Sequence, residues 1–149
     1  MNTELVKIKQ INYKETYPIR QVVLRPNRPL ETCFFGGDEL ETTFHFGLFY
    51  KDKLVGIISL FKNDNPLFQE ENQYQIRGMA VLEQYQKYSF GKMLVQHSEK
   101  FLYEKNISFI WFNAREIAVN FYKKQGYEII GNAFDIPDVG VHYVMWKEV

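Results

Sequence analysis

The stretch Tyr74-Gln75-Ile76-Arg77-Gly78-Met79-Ala80-Val81-Leu82 continues through Gln86-Lys87-Tyr88-Ser89-Phe90-Gly91-Lys92 into a long amphipathic run. Its first part reads as a strand, its middle as a short basic loop, and its end as the start of a helix. Backbone N–H groups in a first helical turn have no intrahelical acceptor, and the helix dipole adds positive character there. Such a junction is a ready site for phosphate, so a phosphate-bearing cofactor is the first inference.

Downstream, Phe90 to Lys105 places Phe90, Met93, Leu94, His97 and Phe101 on one face, the spacing of a helix packed on a sheet, and stops near Asn106. Ile107 to Phe112 is an almost continuous apolar run, as expected of a central strand covered on both faces. Glu116 to Gln125 reads as a short helix closed by Gly126, a residue suited to the left-handed position after a helix end. Tyr127 to Ile130 and Val141 to Trp146 read as strands separated by a loop with Pro137 and Gly140.

Upstream, Leu5 to Ile11 alternates as a half-buried strand does, and Tyr13 to Leu24 follows with helical spacing of Ile19, Val22 and Val23. Arg25 to Glu41, punctuated by Pro26, Pro29, Gly36 and Gly37, is a long loop with room for one helical turn. Thr42 to Tyr50 and Leu54 to Phe61 form an antiparallel hairpin across Lys51-Asp52-Lys53, and Asn63 to Asn72 is a second polar loop. The expectation is an α/β fold, with a mixed six- to seven-stranded sheet flanked by helices and strands four and five parallel. No repeat or linker interrupts residues 1–149, which read as one domain.

Composition narrows the function classes. Eighteen basic residues balance eighteen acidic ones, so no overall field draws the chain to nucleic acid or an anionic membrane. Cys33 is alone, which excludes an internal disulfide and a multi-cysteine zinc site and suits a cytoplasmic protein. His45 and His142 lack partners at zinc spacing, so no metal is expected. The first residues, Met1 to Lys7, carry no signal-peptide apolar core, and no segment approaches the ~18 apolar residues of a membrane span.

Gln86-Lys87-Tyr88-Ser89-Phe90-Gly91 resembles the Q/R-x-x-G-x-G/A pyrophosphate loop of the GNAT acyltransferase superfamily, and Arg77 to Val81 resembles the strand before it. Asn113 to Tyr127 resembles that family's second signature, with its A-x-x-F-Y-x-x-x-G-F/Y core. Together they imply a GNAT-like fold that transfers acetyl from acetyl-CoA to a primary amine, of a small molecule or a peptide, in a ternary complex. The resemblance implies that strands four and five splay and that Met79, Ala80 and Val81 flank the pantetheine arm, with the backbone of Met79 and Val81 pairing to it. It implies that Gln86, Lys87, Tyr88, Ser89, Phe90, Gly91 and Lys92 hold the pyrophosphate. Tyr122 would protonate the departing thiolate or donate a hydrogen bond to its sulfur. Two departures stand out. Ser89 replaces the first loop glycine and is expected either to cap the helix or to donate to a phosphate. Arg115 stands where many members carry Asn, which leaves open whether Asn113 or Asn120 touches the cofactor.

Glu39, Glu41, Glu71 and Glu83 are candidates to take the amine proton, as is a water chain, and no motif selects among them. Arg77 either binds an acidic group on the acceptor or pairs with a glutamate; Phe34, Phe35 and Phe68 either line an acceptor pocket or anchor their loops. His97, on an apolar helix face, is expected to pack. A catalytically silent acyl-CoA-binding module is the rival from another class. A homodimer through the terminal strand Val141 to Trp146 is a further expectation left open.

Overall fold

The structure, a computed structural model, describes residues 5–149. It is a seven-stranded sheet in the order β1 (Val6–Ile11), β2 (Phe44–Tyr50), β3 (Lys53–Lys62), β4 (Tyr74–Val81), β5 (Phe109–Arg115), β7 (Gly140–Glu148), β6 (Glu128–Ile136). All neighbours are antiparallel except β4 and β5. The β2–β3 hairpin closes through Lys51 and Asp52, both left-handed (φ 51° and 67°), the twist that a two-residue hairpin loop requires.

The helical run after β1 is composite. Asn12 caps a 3-10 turn (Tyr13–Thr16) by a capping box with Glu15, the chain then passes through α1 (Tyr17–Ile19), and a π turn (Arg20–Leu24) closes with Arg25 N–H donating to the Arg20 carbonyl at 2.9 Å. Helix α2 (Phe90–Glu104) crosses one face of the sheet. Its fully buried stripe is Phe90, Leu94, Val95, Ser98 and Leu102. Met93, His97 and Phe101 border it, and His97 packs edge-on against Phe46 at 4.7 Å between ring centroids. Helix α3 (Val119–Lys123) follows a 3-10 turn and lies on the same face, through Val119 and Tyr122.

Two expectations change. The connection drawn from 131 to 140 is mostly strand: β6 runs on to Ile136, absorbs an irregularity between Ile130 and Phe134, and turns at Pro137 to Val139. Gly131 and Asn132 mark that irregularity rather than the end of the strand. The terminal strand is also no sheet edge. β7 is paired by β5 on one side and β6 on the other, so its backbone is closed to association, and the outer strands are β1 and β6. Met1 to Glu4, part of the segment read for a leader, lie outside the described residues. Among those described, no helix is long and apolar enough to cross a membrane.

Candidate active site

The parallel pair sets the site. β4 meets β5 only at Tyr74↔Ile110 and Gln75↔Trp111; from Ile76 onward β4 has no partner on that side, while β5 stays paired to β7 through Arg115. A bulge causes the parting. On the β3 side the register jumps from Ile57↔Ala80 to Ser59↔Arg77, so Gly78 and Met79 oppose Ile58 alone, and Gly78 takes φ +65°. Bulges bend the strand that carries them, and glycine adopts this backbone without the penalty a Cβ imposes. Main-chain groups of β4 past Gln75 therefore face a cleft, open to an extended ligand.

The turn from β4 into α2 lies beside that cleft. A 3-10 turn (Glu83–Tyr88) leads to Ser89 at φ +63°, and Phe90 begins the helix. Ser89 makes no side-chain cap; its carbonyl accepts the Met93 amide at 3.1 Å. The capping alternative is thus replaced by a left-handed corner, the backbone reason for glycine at this point of the motif. The side chains of Tyr88 and Phe90 pack together at 5.5 Å and against Tyr50 at 5.9 and 5.5 Å, and Tyr85 joins them. Gln86 donates its side-chain amide to the Val81 carbonyl at 3.0 Å. These four side chains brace the turn, at whose surface Lys87, Ser89 and Lys92 are exposed.

Gly91 marks the convergence. A Cβ added there would lie 3.5 Å from Phe121 Cζ on α3 and 3.6 Å from Met79 Cε on β4, so the first turn of α2, the bulge and α3 come together at one point. The two motifs, thirty residues apart, share this site. A pyrophosphate fits the free amides of the α2 turn, and a slender arm fits the unpaired β4 edge.

Tyr122 is 8% exposed, its ring 4.3 Å from Phe112 and 5.0 Å from Phe121. Among the described residues its hydroxyl makes no hydrogen bond, and burial pushes its pKa up to about 12. Its backbone is fixed by the end of α3: the Tyr127 amide donates to the Tyr122 carbonyl at 3.2 Å, with Gly126 at φ +94° between them, as the sequence led us to expect. Asn113 and Asn120 are exposed, on β5 and α3 respectively. Ala80 is buried on the face opposite α2, against Ile57 and Ile19.

That opposite face carries residues the motifs did not single out. Arg20 and Asp38, both fully buried, pair with Nη1 to Oδ2 at 2.6 Å and Nη2 to Oδ1 at 3.0 Å. Arg20 also donates to the Cys33 carbonyl (2.7 Å) and Ser59 Oγ (3.0 Å), while His45 joins Ser59 Oγ (2.7 Å) to the Asp38 carbonyl (3.0 Å). Burial lowers the His45 pKa, against the pull of Asp38, so the ring is neutral near pH 7. Charge inside a helix that reads as apolar, Ile19-Arg20-Gln21-Val22, was the available signal. The network fastens the 25–41 loop to the sheet, with Phe35 lying across the Arg20 guanidinium at 3.9 Å.

Among the described residues Arg77 pairs with no glutamate: its guanidinium lies 5.0 Å from the Phe35 ring and 4.9 Å from Phe61. Phe68 anchors its loop on Phe109 at 4.7 Å, and Phe34 packs against Tyr13 at 5.9 Å. Glu39, Glu41, Glu71 and Glu83 are all exposed, and none is drawn into the cleft by a hydrogen bond.

Comparison with known proteins gives a consistent picture. The model of the acetyltransferase (GNAT) family matches residues 4–127. An uncharacterized N-acetyltransferase, YitI, of Bacillus subtilis (strain 168) is 38% identical over 143 residues, 96% of each chain. The ribosomal-protein-S18-alanine N-acetyltransferase of Escherichia coli superposes with a TM-score of 0.76 at 17% identity, over 97% of this chain and 94% of that one. Arabidopsis thaliana Naa50, in complex with the bisubstrate analogue CoA-Ac-MVNAL, gives 0.73 at 22% identity, over 97% and 99%.

Proposed function

The chain belongs to the acetyltransferase (GNAT) family, and from that membership we propose an N-acetyltransferase that acetylates a primary amine, of a small molecule or a peptide, by direct attack while both substrates are bound. It is an acyltransferase, and its acyl donor is acetyl-CoA, which supplies an activated thioester carbon when bound. The observation that carries the reading is the meeting of Met79, Gly91 and Phe121 beside the unpaired edge of β4.

In this reading the backbone of Met79 and Val81 pairs with the pantetheine arm along the open edge, with Ala80 behind it. Amides between Gln86 and Lys92 take the diphosphate, assisted by the charges of Lys87 and Lys92. Asn113 and Asn120 flank the arm from β5 and α3. A β4 amide beside the bulge stabilises negative charge on the thioester oxygen as the amine attacks.

An alkylamine is protonated at neutral pH, and freeing its lone pair at pKa ~10.4 costs about 4.6 kcal/mol. Water in the open cleft takes that proton, since Glu39, Glu41, Glu71 and Glu83 are all exposed and both oxygens of buried Asp38 are held by Arg20. The Tyr122 hydroxyl donates to the sulfur as it leaves. Full transfer from a phenol at about 12 to a thiolate whose acid has pKa ~8.5 is uphill by roughly 5 kcal/mol, so the hydroxyl acts as a held hydrogen-bond donor. In this reading the chain works as one cytoplasmic domain.

The test is thiol release from acetyl-CoA across an amine panel, with CoA binding measured alongside. Saturable binding and amine-dependent release are expected. Binding without release for any amine would favour a silent module, and no binding would remove the assignment of the cleft.

A further inference from the structure

Three guanidiniums converge on one aromatic ring on the face of the sheet opposite α2. Arg20, Arg25 and Arg77 lie 3.9, 5.3 and 5.0 Å from the centre of Phe35. One carboxylate, Asp38, stands among them, and Arg20 engages both of its oxygens. Arg25 and Arg77, each half-buried, form no ion pair among the described residues. Among the described residues the Arg25 guanidinium donates only to the Leu24 carbonyl, at 3.0 Å, and the Arg77 guanidinium makes no hydrogen bond. Burial lowers both below the ordinary arginine value. Arg28, Arg20 and Arg115 lower Arg25 further, and Arg20 and Arg25 do the same to Arg77 against Asp38. Both remain charged at neutral pH. Gathering like charges in a partly desolvated place is unfavourable for folding alone and is relieved by an anion.

The register puts this cluster at the cleft. Asn63 links Gln75 and Trp111, accepting from Trp111 Nε1 at 2.8 Å and donating to Gln75 Oε1 at 3.0 Å, so these paired residues share a face. Two residues on, strand alternation brings Arg77 and Asn113 to the two rims of the cleft on that face, with Arg115 next along β5. Arg20 Nε is buried without an acceptor, 3.7 Å from where a Gly78 Cβ would stand. An unsatisfied donor and two unpaired guanidiniums thus gather beside the bulge, across the sheet from the α2 turn.

We infer that Arg77 and Arg25 form the acceptor subsite of this enzyme and that its substrate is an amine that also carries a carboxylate. The inference rests on the transferase reading above. Both guanidiniums lie over the Phe35 ring with no carboxylate partner among the described residues, and each can offer a carboxylate the paired donors that arginine has and lysine does not. Such an ion holds the amine toward the bulge, where the thioester carbon is expected.

The test uses matched trios, an amino acid, its carboxamide and its decarboxylated amine, over several side chains, with acetyl-CoA saturating. In at least one trio the carboxylate should be acetylated with kcat/KM at least ~10-fold above the other two, a margin of about 1.4 kcal/mol. Arg77→Gln and, separately, Arg25→Gln should erase the margin by raising the acceptor KM, with CoA affinity unchanged and the melting temperature no lower than that of the parent. Arg77→Lys should restore it only in part. Equal use of carboxamides and decarboxylated amines overturns the inference and leaves the transferase intact, whereas failure of CoA to bind the unmodified protein removes the transferase reading itself. A margin that survives both substitutions, or a ~10-fold loss of CoA affinity in either, also overturns the inference, because the charges then serve something other than the acceptor.

Discussion

The ring of Tyr122 rests on that of Phe112 with centroids 4.3 Å apart and planes at 50°, so a residue of α3 is seated on β5 at the wall of the cleft. Packing fixes the ring, and no hydrogen bond among the described residues engages its hydroxyl. Tyr122→Phe therefore keeps the contact and removes only the oxygen. Turnover should fall about 100- to 1,000-fold, the range of a lost transition-state donor, with CoA affinity within twofold or so of the unmodified value. The deficit should be constant from about pH 6 to about pH 10, since a phenol raised to about 12 stays protonated throughout. A pH-rate profile checks this, and a deficit that vanishes above pH ~9 would remove the donor role.

The same shift makes stability pH-dependent at the alkaline end. The neutral form is favoured in the folded state, so the contribution is complete below the ordinary value of 10 and is lost as pH rises through about 12. Its size is about 3 kcal/mol by linkage. Urea melts between pH 9 and pH 11.5 or so should show stability falling, with a smaller fall in Tyr122→Phe.

Gly91 separates folding from binding. A Cβ there meets Phe121 and Met79 at ordinary contact distance, so Gly91→Ala should fold with a midpoint close to that of the parent. Gly91→Glu adds a carboxylate where the diphosphate is proposed to sit and should weaken CoA at least ~100-fold, about 2.7 kcal/mol. Calorimetric titration of both variants decides; retained affinity in Gly91→Glu would mean that the diphosphate sits elsewhere.

Ser89 holds a left-handed backbone that costs a residue with a Cβ about 1 to 2 kcal/mol. Ser89→Gly should be neutral or stabilising by up to ~1 kcal/mol, because the relieved strain is offset by the freedom glycine has when unfolded. Ser89→Val should be destabilising by more than ~1 kcal/mol, since β-branched residues resist this region most strongly. Chemical denaturation reads both.

Arg20→Met leaves Asp38 buried without its cation and strips donors from Cys33 and Ser59. The expected loss is about 3 to 5 kcal/mol, visible as a lower urea midpoint with the slope unchanged. A loss under ~1 kcal/mol would mean that water replaces the pair.

The strand-to-helix junction and the second motif were legible because their signals are local: a β run, a glycine, a helix start. Periodicity also marked α2: of the stripe it picked, Phe90 and Leu94 are fully buried, and Met93, His97 and Phe101 lie at the border. What stayed hidden depends on partners distant in sequence. The bulge at Gly78 is defined only against Ile58, and the Arg20–Asp38 pair joins residues eighteen apart, with Ser59 of β3 a further acceptor for Arg20. The interior position of β7 was invisible for the same reason, as chain order does not fix sheet order. Gly131 and Asn132 misled because turn formers and bulge formers are the same residues.

Seven strands are in effect two plates riveted at one corner. Past Gln75 and Trp111 no strand pairing crosses the seam, and helix α2 bridges it instead, its buried stripe in one core with both halves and its Glu99 accepting from Lys147 of β7 at 3.1 Å. An extended molecule lodged in the seam becomes the missing rung, restoring along the strands the continuity that elsewhere only the helix supplies.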